Sequence, residues 1–195
     1  LDSSAQIAVV QNGIIENYRD LSKSLKLKGI KFTSETDTEI IPHLIGLELE
    51  QSLANGLSPN GQTLLMAVQK VLTLLEGTYA IAVIWSKAPN ALVVASGQAP
   101  LVLGFGEGEF FCASDTPALA EFTRTFLPLK DNEIALLSPL GIELYDDAGN
   151  RQHRAPSLLK GTDLSADKKN FRHFMLKEIY EQPEKTQLWI DRFLP

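Results

Sequence analysis

The chain has 195 residues, of which 44% are hydrophobic and 22% charged, a balance that excludes disordered, collagen-like and coiled-coil proteins. With 18 Lys and Arg against 24 Asp and Glu, the net charge of −6 argues against a nucleic-acid partner. One cysteine excludes a disulfide scaffold, and no apolar run is long enough to span a membrane, so we expect a cytoplasmic α/β or α+β protein without a membrane partner.

The N-terminal segment is predicted to form one strand and one helix. Residues 7–10 are a short apolar run that predicts a buried strand, and the Asn12-Gly13 pair predicts a sharp turn at its end. Asn17 predicts the N-cap of a helix that Gly29 terminates. Alternation over residues 30–33 predicts a short strand after this helix.

The next two predicted elements are helices. Thr36 and Glu39 have the spacing of a capping box, which predicts a helix start at this point. Pro42 is tolerated only in a first turn, so we expect a slightly later start or a bend. A further helix is predicted over residues 63–75.

The second half of the chain is predicted to be an antiparallel set of strands. Such apolar strands are buried on both faces, or covered by helices on one face and by a second sheet on the other. The predicted strands are residues 79–85, 91–95, 101–105, 109–113, 133–137 and 142–145. Residues 150–170 are predicted to be a surface loop, and residues 170–194 a helix interrupted at Pro183. Together these elements predict an α+β fold with layered packing.

Most candidate sites have a structural explanation. Cys112 lies within an apolar strand pattern, where a buried cysteine acts as a small hydrophobic side chain. None of the three histidines lies at ligand spacing from another His or from the cysteine, so no metal site is predicted. The glycines of residues 104–108 are not followed by a capped helix, so they predict a turn rather than a phosphate site. We expect no cofactor.

Two places are better candidates for chemistry. Asn12 and Gly13 end a buried strand, where an amide NH₂ and a backbone N–H can converge on one developing negative charge, as in an oxyanion hole. An ordinary Asn-Gly turn is the alternative. Asp37, at a helix start, can receive a substrate ammonium group or merely interact with the helix N-terminus.

Three stretches carry a family pattern, namely residues 8–18 (AVVQNGIIENY), 34–39 (SETDTE) and 173–183 (HFMLKEIYEQP). They resemble the glutaminase domain of the glutamine–fructose-6-phosphate aminotransferase family, which belongs to the class-II glutamine amidotransferases. Ser96-Gly97 and Ala113-Ser114-Asp115 fit between them in order, so the resemblance covers essentially the whole chain. The stretch from Glu178 to Pro183 favours this family over other class-II amidotransferases, and Gln11 stands where many members carry histidine.

The resemblance implies an N-terminal-nucleophile hydrolase fold, an αββα sandwich of antiparallel sheets. It implies that a cysteine at the start of the mature chain attacks the side-chain amide of glutamine, assisted by its own amino group. The side-chain amide of Asn12 and the N–H of Gly13 would then hold the oxyanion, and Asp37 would bind the glutamine ammonium. Ammonia would pass to an isomerase half that converts fructose 6-phosphate into glucosamine 6-phosphate, in an enzyme that is a homodimer.

The given chain begins with Leu1, and its sole cysteine is Cys112. We therefore expect a partial glutaminase domain over residues 1–165 that lacks N-terminal strands and the nucleophile, followed by a helical segment over 166–195 that leads toward an isomerase domain. Such a chain is expected to be inactive alone. Three alternatives remain. They are the glutaminase domain of another class-II amidotransferase, a non-catalytic relic that still binds glutamine through Asp37 or scaffolds a partner, and a fragment without independent function.

Overall fold

The computed structural model of the protein describes residues 1–158, 168 and 170–193. The chain divides into two compact units, Leu1–Lys160 and Gly161–Pro195. The first unit holds both sheets and three helices, and the second holds one helix. The boundary predicted between residues 165 and 166 lies outside the described residues.

The larger of the two sheets has six antiparallel strands. In spatial order they are β1 (Ile7–Ile15), β2 (Gly77–Trp85), β3 (Leu92–Gly97), β7 (Ile134–Ser138), β8 (Gly141–Tyr145) and β9 (Arg151–Gln152). The longest pairing joins β1 to β2 over nine residues, from Ile7 opposite Trp85 to Ile15 opposite Gly77. Strand β1 therefore has a paired inner side and forms one edge of the sheet.

The smaller sheet has four antiparallel strands. In spatial order they are β10 (Ser157–Leu158), β6 (Thr125–Pro128), β4 (Val102–Phe105) and β5 (Phe110–Ala113). The two sheets share an apolar core, to which β2, β3, β7 and β8 contribute from one side and β4 and β6 from the other. Its buried members are Ala80, Val94, Ala99, Leu101, Leu103, Leu127, Leu129, Ala135, Leu137 and Leu144.

Helices α1 (Tyr18–Leu27), α2 (Ile40–Ala54) and α3 (Gly61–Leu72) cover the opposite face of the larger sheet. Ile41, Ile45 and Val68 from these helices are fully buried against strand residues such as Ile81 and Val93. Apolar burial of this kind supplies about 1.5–3 kcal/mol for each large aliphatic side chain. The α+β prediction, with strands covered by helices on one face and by a second sheet on the other, is confirmed.

The predicted turn at Asn12-Gly13 is wrong. Strand β1 continues through both residues to Ile15, with Asn12 opposite Ala80 and Gly13 opposite Tyr79. The turn preference of an Asn-Gly pair is a local effect, and pairing of β1 with β2 on both sides of these residues keeps the chain extended.

The strand predicted over residues 30–33 and the capping box are also wrong, for one shared reason. The backbone N–H groups of Thr33 and Ser34 donate to the Glu39 carboxylate at 2.7 and 2.6 Å instead of to a neighbouring strand. Glu39 is therefore not available to cap the N–H of Thr36. A 3₁₀ turn at Asp37–Glu39 comes first and α2 begins at Ile40, so the later start that Pro42 required is confirmed.

The end of the chain differs from the prediction in two ways. Strands β6, β9 and β10 were not predicted, and the last two lie in the segment expected to be loop; residues 159–167 and 169 of that segment lie outside the described residues. Helix α4 (Phe174–Phe193) continues through Pro183, so the predicted interruption is wrong. Proline removes one backbone donor, and the remaining hydrogen bonds keep the 20-residue helix continuous. Leu194 lies outside the described residues.

Candidate active site

The first component of the candidate site is Asn12, on the edge strand β1. Its partner Ala80 belongs to the core between the sheets, so the Asn12 side chain points to the side of the second sheet. There its Nδ2 donates a 3.1 Å hydrogen bond to Oγ of Ser114, the residue that follows β5. An amide nitrogen has two hydrogens, so this bond orients Asn12 and leaves one donor for a ligand.

Gly13 occupies a position that no other residue fits. Its φ is +129°, which L side chains rarely adopt, and an added Cβ would lie 2.0 Å from the carbonyl oxygen of Thr78. The residue is solvent-exposed. A glycine here allows the backbone of β1 and β2 to approach closely while leaving the surface above it open to a ligand.

Asp37 is the third component and carries a charge, and it is held against β1. Its Oδ2 accepts hydrogen bonds from the backbone N–H of Ile15 at 2.7 Å and from Nε2 of Gln11 at 3.2 Å. These two donors flank Asn12 and Gly13 in the strand. The structure therefore brings all three predicted site residues to one stretch of the edge strand, although Asp37 is 24 residues beyond Gly13 in the sequence.

Glu39 fixes the segment that carries Asp37. It is only 6% exposed, and its carboxylate accepts four hydrogen bonds, from the backbone N–H and the hydroxyl of both Thr33 and Ser34. Burial alone would raise the pKa of Glu39, but these hydrogen bonds outweigh it and lower the pKa to about 2. The imidazole of His43 lies 3.5 Å from the same carboxylate. The start of α2 is thus tied to the loop before it.

Three of these contacts were missed by the sequence analysis. Ser114 was noted only as part of a matching tripeptide, Gln11 only as standing where many family members carry histidine, and Glu39 was assigned to a helix cap. The Asn12–Ser114 bond spans 102 residues and joins two sheets, so no local pattern could reveal it. Gln11, Gly13 and Ile15 alternate along β1 and share one face. This alternation was the sequence pattern from which Gln11 could have been predicted to lie at the site.

Cys112 lies on β5, half-buried against the core between the sheets. Burial raises the pKa of its thiol, which disfavours the nucleophilic thiolate. Across the described residues, no group of three His, Cys, Asp or Glu side chains is arranged to hold a metal ion. No helix among those residues has the length and apolar character needed to cross a membrane.

A family model described as "Glutamine amidotransferase domain" matches residues 1–121. This match covers more than half of the chain, and it includes the edge strand and the Asp37 turn described above. The chain belongs to the glutamine amidotransferase domain family.

Two curated relatives show which kind of glutamine amidotransferase this chain is similar to. Glutamine–fructose-6-phosphate aminotransferase (isomerizing) of Thermosynechococcus vestitus is 50% identical over 193 residues, which are 99% of this chain and 30% of the relative. The enzyme of the same name from Synechocystis sp. is 50% identical over 194 residues, 100% of this chain and 30% of the relative. The chain thus corresponds to the glutamine amidotransferase part of these relatives and spans about a third of their length.

A solved structure supports the fold. The glutamine phosphoribosylpyrophosphate amidotransferase of B. subtilis superimposes with a TM-score of 0.60 at 24% identity, over 74% of this chain and 30% of that one. At this identity the similarity shows the fold alone. It agrees with the two antiparallel sheets and the covering helices described above.

Proposed function

We propose that this chain supplies the oxyanion-binding and ammonium-binding groups of a glutamine-hydrolysing site. The observation that carries the proposal is the bonding of the Asp37 carboxylate to Gln11 and Ile15, on either side of Asn12 and Gly13. A carboxylate beside an exposed amide donor and an open backbone suits an amino-acid amide, whose ammonium and carbonyl oxygen need those two kinds of partner.

In the proposed reaction, a cysteine thiolate attacks the side-chain carbonyl carbon of glutamine and the carbonyl oxygen becomes an oxyanion. The free Nδ2 hydrogen of Asn12 and the N–H of Gly13 would stabilise that oxyanion, and Asp37 would fix the α-ammonium. As the tetrahedral intermediate collapses, the C–N bond breaks and the nitrogen takes a proton from the α-ammonium of the attacking cysteine, so that ammonia leaves and a glutamyl thioester remains. Water then hydrolyses the thioester to glutamate and restores the thiol. Cys112 is half-buried against the core between the sheets and burial raises the pKa of its thiol, so we assign the nucleophile to no residue of this chain.

The acceptor of the ammonia is proposed from the relatives, whose name gives fructose 6-phosphate. Identity of 50% along the whole chain favours that acceptor over those of other amidotransferases. We further propose that the full enzyme works in the cytoplasm as a homodimer, binds fructose 6-phosphate through a separate isomerase half, and does not bind nucleic acid, in keeping with the net charge of −6. No membrane partner and no cofactor are proposed.

The first experiment is to isolate the native protein with an antibody against this chain and determine its intact mass and N-terminal sequence. A species of about three times 21.5 kDa that begins with cysteine would support the proposal, since the chain spans 30% of its relatives. A native species of 21.5 kDa that begins at Leu1 would favour the binding relic instead.

The second experiment uses the purified 195-residue chain. Incubated with L-glutamine, it should release no ammonia above the buffer rate. Hydrolysis by this chain would show that a nucleophile is present among its own residues and would overturn the site assignment.

A further inference from the structure

The side chain of Gln11 has an unusual hydrogen-bonding state. Its Nε2 donates to Oδ2 of Asp37 at 3.2 Å, but its Oε1 is buried without a hydrogen-bond partner among the described residues. The reverse orientation of the amide would place Oε1 against the Asp37 carboxylate, where two acceptors would face each other. The contact with Asp37 therefore fixes the orientation that leaves Oε1 unpaired.

An unpaired buried acceptor lowers stability, because the group has lost its water and gained no donor in exchange. Gln11 lies half-buried on the face of β1 that also carries the buried Ile7 and Ile15. An apolar side chain of the same length would fill this position without that cost. Stability alone thus gives no reason for an amide here, and its one hydrogen bond goes to Asp37.

That hydrogen bond determines which oxygen of Asp37 is open. Ile15 and Gln11 both donate to Oδ2, whereas Oδ1 accepts no hydrogen bond from the described part of the chain. One of these donors is a backbone N–H and the other is a side-chain amide of the same strand. Together they restrict the rotation of the Asp37 carboxylate. Oδ1 is left to accept from a ligand.

We propose that Gln11 is a positioning residue for substrate recognition, which orients Asp37 so that Oδ1 faces the α-ammonium of glutamine. This inference rests on the proposed function of Asp37. Gln11 acts through Asp37 and touches neither the reacting carbonyl nor the leaving ammonia. Its removal should weaken the binding of substrates that carry an α-ammonium and leave the chemical step unchanged.

The test compares Gln11→Met and Gln11→His with wild type in the natural protein that carries this chain. Methionine keeps the length of the side chain and removes both polar atoms, whereas histidine retains an N–H donor. For Gln11→Met we expect the KM for L-glutamine to rise on the order of 10-fold with kcat unchanged, as suits an indirect loss of one hydrogen bond to a charged group. For Gln11→His we expect most of the affinity to return.

Two further measurements separate positioning from a structural role. The Tm of Gln11→Met should be unchanged or raised, because the unpaired Oε1 is gone. The inhibition constant of 4-carbamoylbutanoate, which is glutamine without its α-amino group, should be the same in wild type and Gln11→Met. The matched control is Gln62→Met, which removes another glutamine bonded to a carboxylate, that of Glu143 at 3.2 Å, and should change none of these values.

The outcomes are distinguishable. A lowered Tm with an unchanged KM, or equal weakening of L-glutamine and 4-carbamoylbutanoate, would overturn the role of Gln11. If Asp37→Asn raises the KM for L-glutamine and Gln11→Met does not, only the role of Gln11 fails. If wild type binds L-glutamine no better than 4-carbamoylbutanoate, the proposed function of Asp37 fails and this inference fails with it.

Discussion

The backbone N–H of Ile15 donates a 2.7 Å hydrogen bond to Oδ2 of Asp37. Ile15 is fully buried at the end of β1, only two residues beyond Gly13. The carboxylate is therefore attached to the same strand that carries Asn12 and Gly13. The separation between the ammonium acceptor and the oxyanion donors is set by a strand held in the core, which is the kind of support that a binding site needs.

Asp37→Asn removes the charge that the α-ammonium of glutamine would meet. We expect the KM for L-glutamine to rise at least about 10-fold, since a hydrogen bond to a charged group is worth about 1.5–3 kcal/mol. The measurement is steady-state glutaminase activity of the natural protein that carries this chain. Asp20→Asn is the control, because Asp20 is exposed on α1 and pairs with the neighbouring exposed Lys23. An unchanged KM in Asp37→Asn would contradict the ammonium assignment.

Gly13→Ala introduces a Cβ 2.0 Å from the carbonyl oxygen of Thr78, at a φ of +129°. Strand β1 must move to accommodate it, so we expect a loss of at least about 2 kcal/mol in the free energy of unfolding. Gly29→Ala is the control, because Gly29 also has a positive φ but nothing lies within 4 Å of an added Cβ. It should cost about 1 kcal/mol. Urea denaturation of both variants checks this, and equal losses would show that the close approach to β2 is not limiting.

The layered α+β fold could be predicted from the sequence because the apolar runs that indicate its main strands are long and local. The apolar runs that became β2, β3 and β7 could be assigned from composition alone. Strand β6 was missed because it has four residues and ends in Pro128, which reduces the strand signal. Position and chemistry offered Asn12, Gly13 and Asp37 as candidates beside a structural alternative for each, and the resemblance favoured the functional interpretation.

Two of the errors share one cause, which is that tertiary partners displaced local ones. Asn12-Gly13 has a turn propensity, but pairing with β2 keeps it extended. Glu39 stands at capping-box spacing from Thr36, but Thr33 and Ser34 offer four donors to its carboxylate. In both cases the competing partner belongs to the assembled fold, so the sequence pattern could not reveal it.

The low pKa of Glu39 predicts a dependence of stability on pH. The folded pKa is about 2, below the ordinary value of 4.5, so the carboxylate contributes stability above pH 4.5 that is lost as the pH falls toward 2. This linkage corresponds to about 3 kcal/mol at pH 7 and about 1 kcal/mol at pH 3. The difference in unfolding free energy between wild type and Glu39→Gln should therefore shrink by about 2 kcal/mol between these two pH values.

Urea denaturation at pH 7 and pH 3 measures this difference. Repeating the comparison in a His43→Gln background removes the neighbouring imidazole, whose Nε2 lies 3.5 Å from the carboxylate. A difference that stays constant with pH would mean that Glu39 has an ordinary pKa and that its four hydrogen bonds do not select the ionised form.

Cys112 is expected to behave as a packing residue. Its thiol faces the core between the sheets and has a raised pKa, so at pH 7 it should react with iodoacetamide more slowly than the thiol of the urea-unfolded chain. The 195-residue chain suits this measurement because Cys112 is its only cysteine. Cys112→Ala should leave the glutaminase activity of the natural protein unchanged. Rapid labelling of the folded chain, or loss of activity in Cys112→Ala, would contradict the assignment.

Because Asn12 and Ser114 share a hydrogen bond, we expect substitutions of these two residues to have coupled effects on kcat. Asn12→Ala should lower kcat for glutamine hydrolysis on the order of 100- to 1,000-fold with little change in KM, because it removes a donor needed only when the oxyanion forms. Ser114→Ala removes the acceptor that orients Nδ2 of Asn12 and should lower kcat by a smaller factor. Because Ser114 acts through Asn12, the double variant should be no slower than Asn12→Ala. If the two losses instead multiply, Ser114 contributes to the reaction by a route of its own, and its assignment as the residue that orients Asn12 is wrong.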